Sequence, residues 1–193
     1  MTFRELLSRE FPLSRVQLDH LERHYGLVRQ WNRKINLTRI VSLEDVVRLH
    51  YCESLSLAQA LPEGDLRIAD IGSGAGFPGV PVAVLRPGYD VTLVESHKRK
   101  AVFLNEVARE VANLKVVPER AETLRTKYDW IVARAVRPEE VLSLINSNNF
   151  ALLISEPELA TLPRPTSVAK TPWGDNRLVA MFHVEHDRID PKQ

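Results

Sequence analysis

Residues 68–81 read IADIGSGAGFPGVP, and the ligand this turn suits decides the fold. Gly74, Gly76 and Gly79 match the G-x-G-x-x-G spacing of a dinucleotide-binding turn. The spacing alone is weak. It gains support from a strand-like run before it, a helix-like run after it, and an acid, Glu95, about 20 residues further on. That acid is placed to take two ribose hydroxyls. Glycines suit a sharp strand-to-helix turn because they accept positive φ and let a ligand approach the backbone. A pyrophosphate, however, needs free amides at a helix N-terminus. Pro78 and Pro81 have no amide hydrogen to offer there, and Asp70 adds negative charge. S-adenosylmethionine carries no phosphate and has a cationic sulfonium and an ammonium group, so the chemistry favours it over NAD. On that reading the working unit is Asp70-Ile71-Gly72-Ser73-Gly74-Ala75-Gly76, with Phe77 and the prolines following as a wall.

Outward from the turn, short apolar runs alternate with helix-like segments from Arg67 onward. RIADI, DVTLVE, LKVVPE, DWIVAR and FALLIS read as strands, and KRKAVFLNEVAREVA, with Val102, Val107 and Val111 among its apolar positions, as a helix. This rhythm predicts an α/β fold with a mostly parallel sheet. TSVAK and RLVAMFHVEH flank a turn at PWGDN, so the sheet should end in an antiparallel strand. A mostly parallel seven-stranded sheet with an antiparallel last strand is the usual class I SAM-dependent methyltransferase (Rossmann-like) build, an analogy at the level of fold. Residues 1–60 read as helical. Ser14 and Gln17 have capping-box spacing ahead of a stripe of Leu18, Leu21, Tyr25 and Val28, and Ser42 and Asp45 open a second helix that stops at Pro62. Two segments are expected: an N-terminal helical extension over 1–62 and a SAM-binding core over 63–193.

The bulk composition narrows the class without choosing a substrate. In 193 residues, 44% hydrophobic and 26% charged content are those of a globular protein. A net charge of +1 means that any nucleic-acid surface must be local. The single cysteine, Cys52, excludes an internal disulfide and a cysteine-based zinc cage, and it suits a reducing compartment. No run approaches the roughly 20 apolar residues that span a bilayer, and the N-terminus lacks a signal-peptide pattern. A cytoplasmic protein without a membrane partner is expected.

WNRKINLT (31–38), LHYCESL (49–55), DIGSGAGFPGVP (70–81), LVESHKRKAVFL (93–104), RAE (120–122) and IVARAV (131–136) occur in this order. Together they resemble the bacterial small-subunit ribosomal RNA methyltransferase family RsmG (GidB), over roughly residues 3–145. The resemblance implies methyl transfer from S-adenosylmethionine to N7 of one guanine of 16S ribosomal RNA, near the decoding centre; a monomer is expected. It implies cofactor contacts from Gly72, Phe77, Ala121, Glu122 and Arg134. Asp70, Gly74, Gly76 and Glu95 join them from the loop and ribose arguments. The chain departs from the family at NSNN (146–149) and at Ser155-Glu156, where many relatives have Pro-Gly-Gly and Lys-Gly. A proline-rich loop there stands in place of a helix. A methyltransferase of another RNA or small molecule, an RNA-binding module with a vestigial cofactor site, and an NAD-binding protein are the alternatives.

Guanine N7 has an in-plane lone pair outside Watson–Crick pairing, so its methylation needs alignment but no general base. No catalytic residue is therefore required, and Arg134 is a candidate for positioning, through the cofactor carboxylate or guanine O6. RNA-binding candidates are Arg33, Lys34 and Arg39 after the long N-terminal helix, Lys98, Arg99 and Lys100 after Glu95, and also His50 and Arg137. Lys98, Arg99 and Lys100 open a helix, where the dipole disfavours cations. No metal is expected: His183 and His186 of HVEH, three apart on a strand, point to opposite faces. His20 and His24, four apart, read as a solvated helix face.

Overall fold

Each apolar run forms a strand of one sheet in the computed structural model, which describes residues 1–186. The strands are β1 (Arg67–Ile71), β2 (Asp90–Val94), β3 (Leu114–Val117), β4 (Trp130–Arg134), β5 (Asn149–Ser155), β6 (Ser167–Lys170) and β7 (Arg177–His183). Their order is β3-β2-β1-β4-β5-β7-β6, parallel throughout except that β7 runs antiparallel to both β5 and β6. Ile71 pairs with Val94 on one side and Ala133 on the other. The chain order therefore reverses between β1 and β4, and the crevice beyond their carboxyl ends is where such sheets bind ligands.

Alternation along the strands divides the interior into two layers. Ile68, Leu93, Val132 and Leu153 face one layer, while Ala69, Ile71, Ala133 and Leu152 face the other. Helices α1 (Phe3–Glu10), α2 (Arg15–Asn32), α4 (Glu53–Ala60), α5 (Gly79–Leu85) and α6 (Lys98–Ala108) contribute to the first layer. That apolar cluster runs unbroken from Phe3 to Val179, so the N-terminal helices and the sheet share one core. The second face is covered more thinly, by α7 (Pro138–Leu142), Leu124 and Tyr128. Between β5 and β6 only the four-residue α8 (Glu156–Leu159) forms, opened by the Ser155–Glu158 capping box and followed by prolines. Residues 187–193, the end of the second expected segment, lie outside the described residues.

Two sequence readings change. Val102 points into solvent, 57% exposed, while Val107 and Val111 are buried. On α2 the buried stripe is Leu18, Leu21, His24 and Val28, with Tyr25 only half-buried. His24 thus belongs to the core, because it falls three residues after Leu21 and four before Val28.

The second N-terminal helix is also not uniform. It opens with α3 (Leu43–Asp45), where Ser42 Oγ accepts from the Asp45 amide, as its capping spacing predicts. It then widens into a π-helical stretch, Val46–Cys52, before α4. Ser54 Oγ donates to the His50 carbonyl at 2.6 Å. The wider turn lets six consecutive residues, His50 to Leu55, all be buried, and π segments of this kind concentrate at functional sites.

Candidate active site

The turn after β1 holds Gly72, Gly74 and Gly76 at φ of 68°, 56° and 88°. Only glycine adopts these angles freely. The three absent side chains do different things. A Cβ on Gly72 would lie 2.6 Å from Val136 Cγ2, and one on Gly76 would lie 2.7 Å from Val80 Cγ2 and 3.0 Å from His24 Nε2. At Gly74 the nearest atom is the Gly72 carbonyl at 3.6 Å. Gly76 therefore serves packing, and Gly74 leaves open space.

Two cavities meet at this turn and share Gly72. The larger, about 240 Å³, is lined by Thr38, His50, Gly74, Phe77, Lys100 and Arg134 among others. The smaller, about 140 Å³, lies between the ends of β1 and β2 and the 3₁₀ turn Ala121–Thr123, and includes Ser96, Ala121, Glu122 and Val136. Asp70 and Gly76 do not reach either wall. Asp70 is fully buried beneath the turn, where its Oδ2 accepts from the Gly79 amide at 3.0 Å, and burial raises its carboxyl to about 7. Gly76 turns its Cα toward α2 instead. Glu95 is likewise drawn into the turn: Oε2 accepts from the Gly74 amide at 3.0 Å and Oε1 from the His97 amide at 2.7 Å. Each of its oxygens retains a lone pair.

The amide inventory shows what the turn can accommodate. Gly72 and Ser73 donate to the Val94 carbonyl, Gly76 and Phe77 to the Ser73 carbonyl, and Gly74 to Glu95. At the start of α5, Gly79 donates to Asp70. Five amides of the turn and that of Gly79 are thus committed within the protein, two of them to carboxylates, which leaves little for a pyrophosphate. A phosphate-free cofactor fits better. On the same cleft, Arg134 Nη1 is buried with no hydrogen-bond partner among the described residues, and burial lowers the guanidinium to about 10. Glu53 attracts the guanidinium, but a buried nitrogen left without a hydrogen bond at the cleft wall still suits an anion of the ligand, and a free carboxylate meets that need. Ala135, next in the chain and also at the cleft, has φ of 55°, a strained angle for a residue with a Cβ.

An aromatic wall backs the turn. The His50 ring stacks on Phe77 with centroids 4.6 Å apart, and Tyr51 meets Phe77 edge-on at 5.0 Å. His50 Nε2 lies 2.8 Å from Thr38 Oγ1. Burial, with Arg134 next in weight, lowers His50 to about 3, so the ring is neutral. Behind it, His24 Nε2 is 2.9 Å from the Ala75 carbonyl and Nδ1 is 2.9 Å from the Tyr51 hydroxyl. A carbonyl only accepts, so Nε2 carries the proton and Tyr51 donates to Nδ1. This buried relay ties α2 and the π-helical stretch to the glycine turn. Glu53, fully buried, is held by both nitrogens of a fork from Arg177 at 3.1 Å.

The remaining sequence candidates are spread around the mouth. Lys100 reaches the larger cavity, whereas Lys98 and Arg99 are exposed on α6. Arg33, Lys34 and Arg39 are exposed beside α2, and Arg137 pairs with Glu140. His183 and His186 bond to Asn149 Oδ1 and the Ser147 carbonyl, respectively. Sequence reasoning missed His24, Thr38 and Ala135. For His24 the apolar spacing of α2 was the available signal; for Ala135 no local signal exists.

The glycine positions make contrasting predictions. Gly76→Ala should lower stability by about 1–3 kcal/mol, through overpacking and a strained φ. Gly74→Ala should cost about 1–2 kcal/mol of strain alone while its methyl occupies the cleft. Thermal melts paired with cofactor titrations check both: Gly74→Ala should lose more affinity than Gly76→Ala and less stability.

The strand order, the reversed β7 and the glycine turn define the class I SAM-dependent methyltransferase fold. Solved structures agree: a ribosomal protein L11 methylase of Lactobacillus delbrueckii has a TM-score of 0.58 at 14% identity, covering 71% of this chain and 80% of that one. Aeropyrum pernix fibrillarin, solved with S-adenosyl-L-methionine natively bound, has a TM-score of 0.53 at 17% identity, covering 66% and 73%. Residues 17–153 match the model of the family rRNA small subunit methyltransferase G (GidB), and the chain belongs to that family. Ribosomal RNA small subunit methyltransferase G of Desulforamulus reducens is 38% identical over 143 residues, covering 69% of this chain and 60% of the relative. The Prochlorococcus marinus protein of the same name is 39% identical over 155 residues, covering 72% and 61%. The chain thus spans about three-fifths of the length of these relatives.

Proposed function

We propose that this chain transfers a methyl group from S-adenosylmethionine to N7 of a guanine in the 16S ribosomal RNA of the small subunit, near the decoding centre. The observation that carries the cofactor half is the unpartnered Arg134 Nη1 on the same cleft as a turn most of whose amides are already committed. The family and the names of its relatives carry the RNA half. S-adenosylmethionine supplies an electrophilic methyl on a sulfonium when bound. Arg134 holds its carboxylate, Glu95 its ribose hydroxyls, and Ala121 and Glu122 line the space for its adenine. Gly72 and Gly74 give it room beside the backbone. Phe77, stacked on His50, walls the cleft. A neutral His50 adds no positive charge where a cationic product ring forms, and N7 requires no residue to remove a proton. The chain's contribution is alignment, which supplies about 7–11 kcal/mol in well-oriented reactions.

Residues 1–62 form, on this reading, the extension that presents RNA to the core of 63–193, in a cytoplasmic monomer. No helix among the described residues is long and apolar enough to cross a membrane. The test is incubation with labelled S-adenosylmethionine and small subunits from a strain lacking its own family member. Mass spectrometry should find 7-methylguanine in 16S RNA. Label at another atom, or none, refutes the reading, and tight NAD binding without S-adenosylmethionine binding refutes its cofactor half.

A further inference from the structure

A second concavity of about 230 Å³ lies beside the cofactor cleft, on the N-terminal helices. Tyr25, Arg29 and Asn32 of α2, with Arg33 directly after it, form one wall, and Thr38 and Val41 belong to the other. Thr38 lines the cleft as well, so the two spaces adjoin, and its Oγ1 meets His50. The groove is built before any ligand arrives. Asn32 Oδ1 accepts from the amides of Leu37 and Thr38 at 2.7 and 2.9 Å, and its Nδ2 donates to the Thr38 carbonyl at 3.0 Å. These bonds hold the 35–40 loop against the end of α2.

The electrostatics are one-sided. No carboxylate lines the groove, and neither Arg29 nor Arg33 forms an ion pair among the described residues. Lys34 and Arg39, close by in sequence, form none either. Arg29 lies over the Tyr25 ring at 5.6 Å from its centroid, which orients the guanidinium without neutralising it. Like charges gathered without counter-charges repel one another, and a polyanion removes that cost. The opposite wall is apolar and ends in Val41, 75% exposed although large and hydrophobic. Cations on one side and an apolar face on the other suit one unstacked nucleotide: phosphates to the arginines, base to the valine wall.

We propose that this groove holds a single-stranded nucleotide flanking the target base, with Arg29 and Arg33 on its phosphates. The inference rests on RNA being the substrate, and it adds where the strand runs: from the cleft past Thr38 along α2. Held there, the neighbouring nucleotide fixes the direction from which the target base enters. Arg29, Arg33 and Val41 line the groove but not the cofactor cleft, so changing them should leave cofactor affinity unaltered.

The test compares the full chain with the double variant Arg29→Ala/Arg33→Ala, and with Val41→Glu, which places a carboxylate in the groove. All three sites are on the surface, and circular dichroism with S-adenosylmethionine titration verifies that each variant folds and binds cofactor as the parent does. Expected for the double variant is a KM for small-subunit RNA raised about tenfold, with kcat at saturating RNA unchanged. The slope of log KM against log salt should fall by about 1.4, from about 0.7 for each of two single-strand phosphates. Val41→Glu should raise KM without changing the number of phosphate contacts. Parent-like KM and salt slope in the double variant overturn the groove, the more so if Lys98→Ala/Arg99→Ala shows the loss instead. A parent protein that neither binds nor methylates small-subunit RNA overturns the proposed function itself, and the groove with it.

Discussion

Arg134→Met should abolish methyl transfer while leaving the protein as stable as the parent, or more so. In the free protein this arginine is costly: its Nη1 has no hydrogen-bond partner among the described residues, and burial outweighs the attraction of Glu53 and pulls its guanidinium down to about 10. Methionine fills similar volume with no charge to desolvate, and replacing buried charge by well-packed apolar atoms is commonly neutral or stabilising. Ligand binding reverses the balance. A carboxylate brought to Nη1 gains a charge-assisted bond at a buried nitrogen, and removing one partner of such a pair costs about 2–5 kcal/mol. That is roughly a 30-fold to several-thousand-fold loss of cofactor affinity. Calorimetric titration with S-adenosylmethionine and a denaturant melt on the same sample measure both halves. Parent-like affinity would remove Arg134 from the site, and a marked loss of stability would show that it has a structural partner.

The second large effect is expected at His24. His24→Ala should destabilise the protein by about 3–5 kcal/mol, because it leaves a cavity in the core and two buried polar groups without partners. Those groups are the Ala75 carbonyl and the Tyr51 hydroxyl. Loss of the Ala75 anchor also frees the turn, so cofactor affinity should fall with stability. His24→Gln, whose amide can donate to Ala75, should recover part of both. A change below about 1 kcal/mol for the alanine variant, typical of surface positions, would show that the relay carries little.

The same histidine governs acid sensitivity. Burial lowers His24 from 6.5 to about 4 and His50 to about 3. The unfolded chain binds those protons more readily, so the stability each contributes is present above about 6.5 and lost as pH falls through its folded value. Asp70 works the other way: raised from 3.8 to about 7, its contribution is present below about 3.8 and lost as pH rises toward 7. Between about pH 4 and 6.5 two histidines oppose one aspartate. Net stability from these groups should therefore rise with pH by about 1.4 kcal/mol per unit. In His24→Gln one histidine is gone and the slope should flatten. Denaturant midpoints across that range provide the measurement.

How much was legible follows from where the information sits. The central strands could be read because each is a short, mostly apolar run, such as Ile68–Ile71 and Val91–Val94, set by burial on both faces. The glycine turn could be read because positive φ restricts the residue type. The capping boxes at Ser14 and Ser155 are local in the same sense, although only the first was recognised.

What no local pattern revealed was the purpose of each group at the turn. Gly74 and Gly76 are identical in sequence, yet one faces the cleft and the other α2, because a neighbour 52 residues away, His24, packs on the second. Asp70 has the residue type of a ligand-binding acid but lies under α5 with the Gly79 amide, since alternation along β1 turns it to the helix-covered face. By itself the sequence determined the element types, their order and the phosphate-free character of the turn, all of which depend on backbone propensity and burial over a few residues. Only the tertiary structure decided which side chains reach the cofactor, which brace the turn, and which cations remain unpaired, because those outcomes depend on long-range contacts that desolvate some groups and supply partners to others.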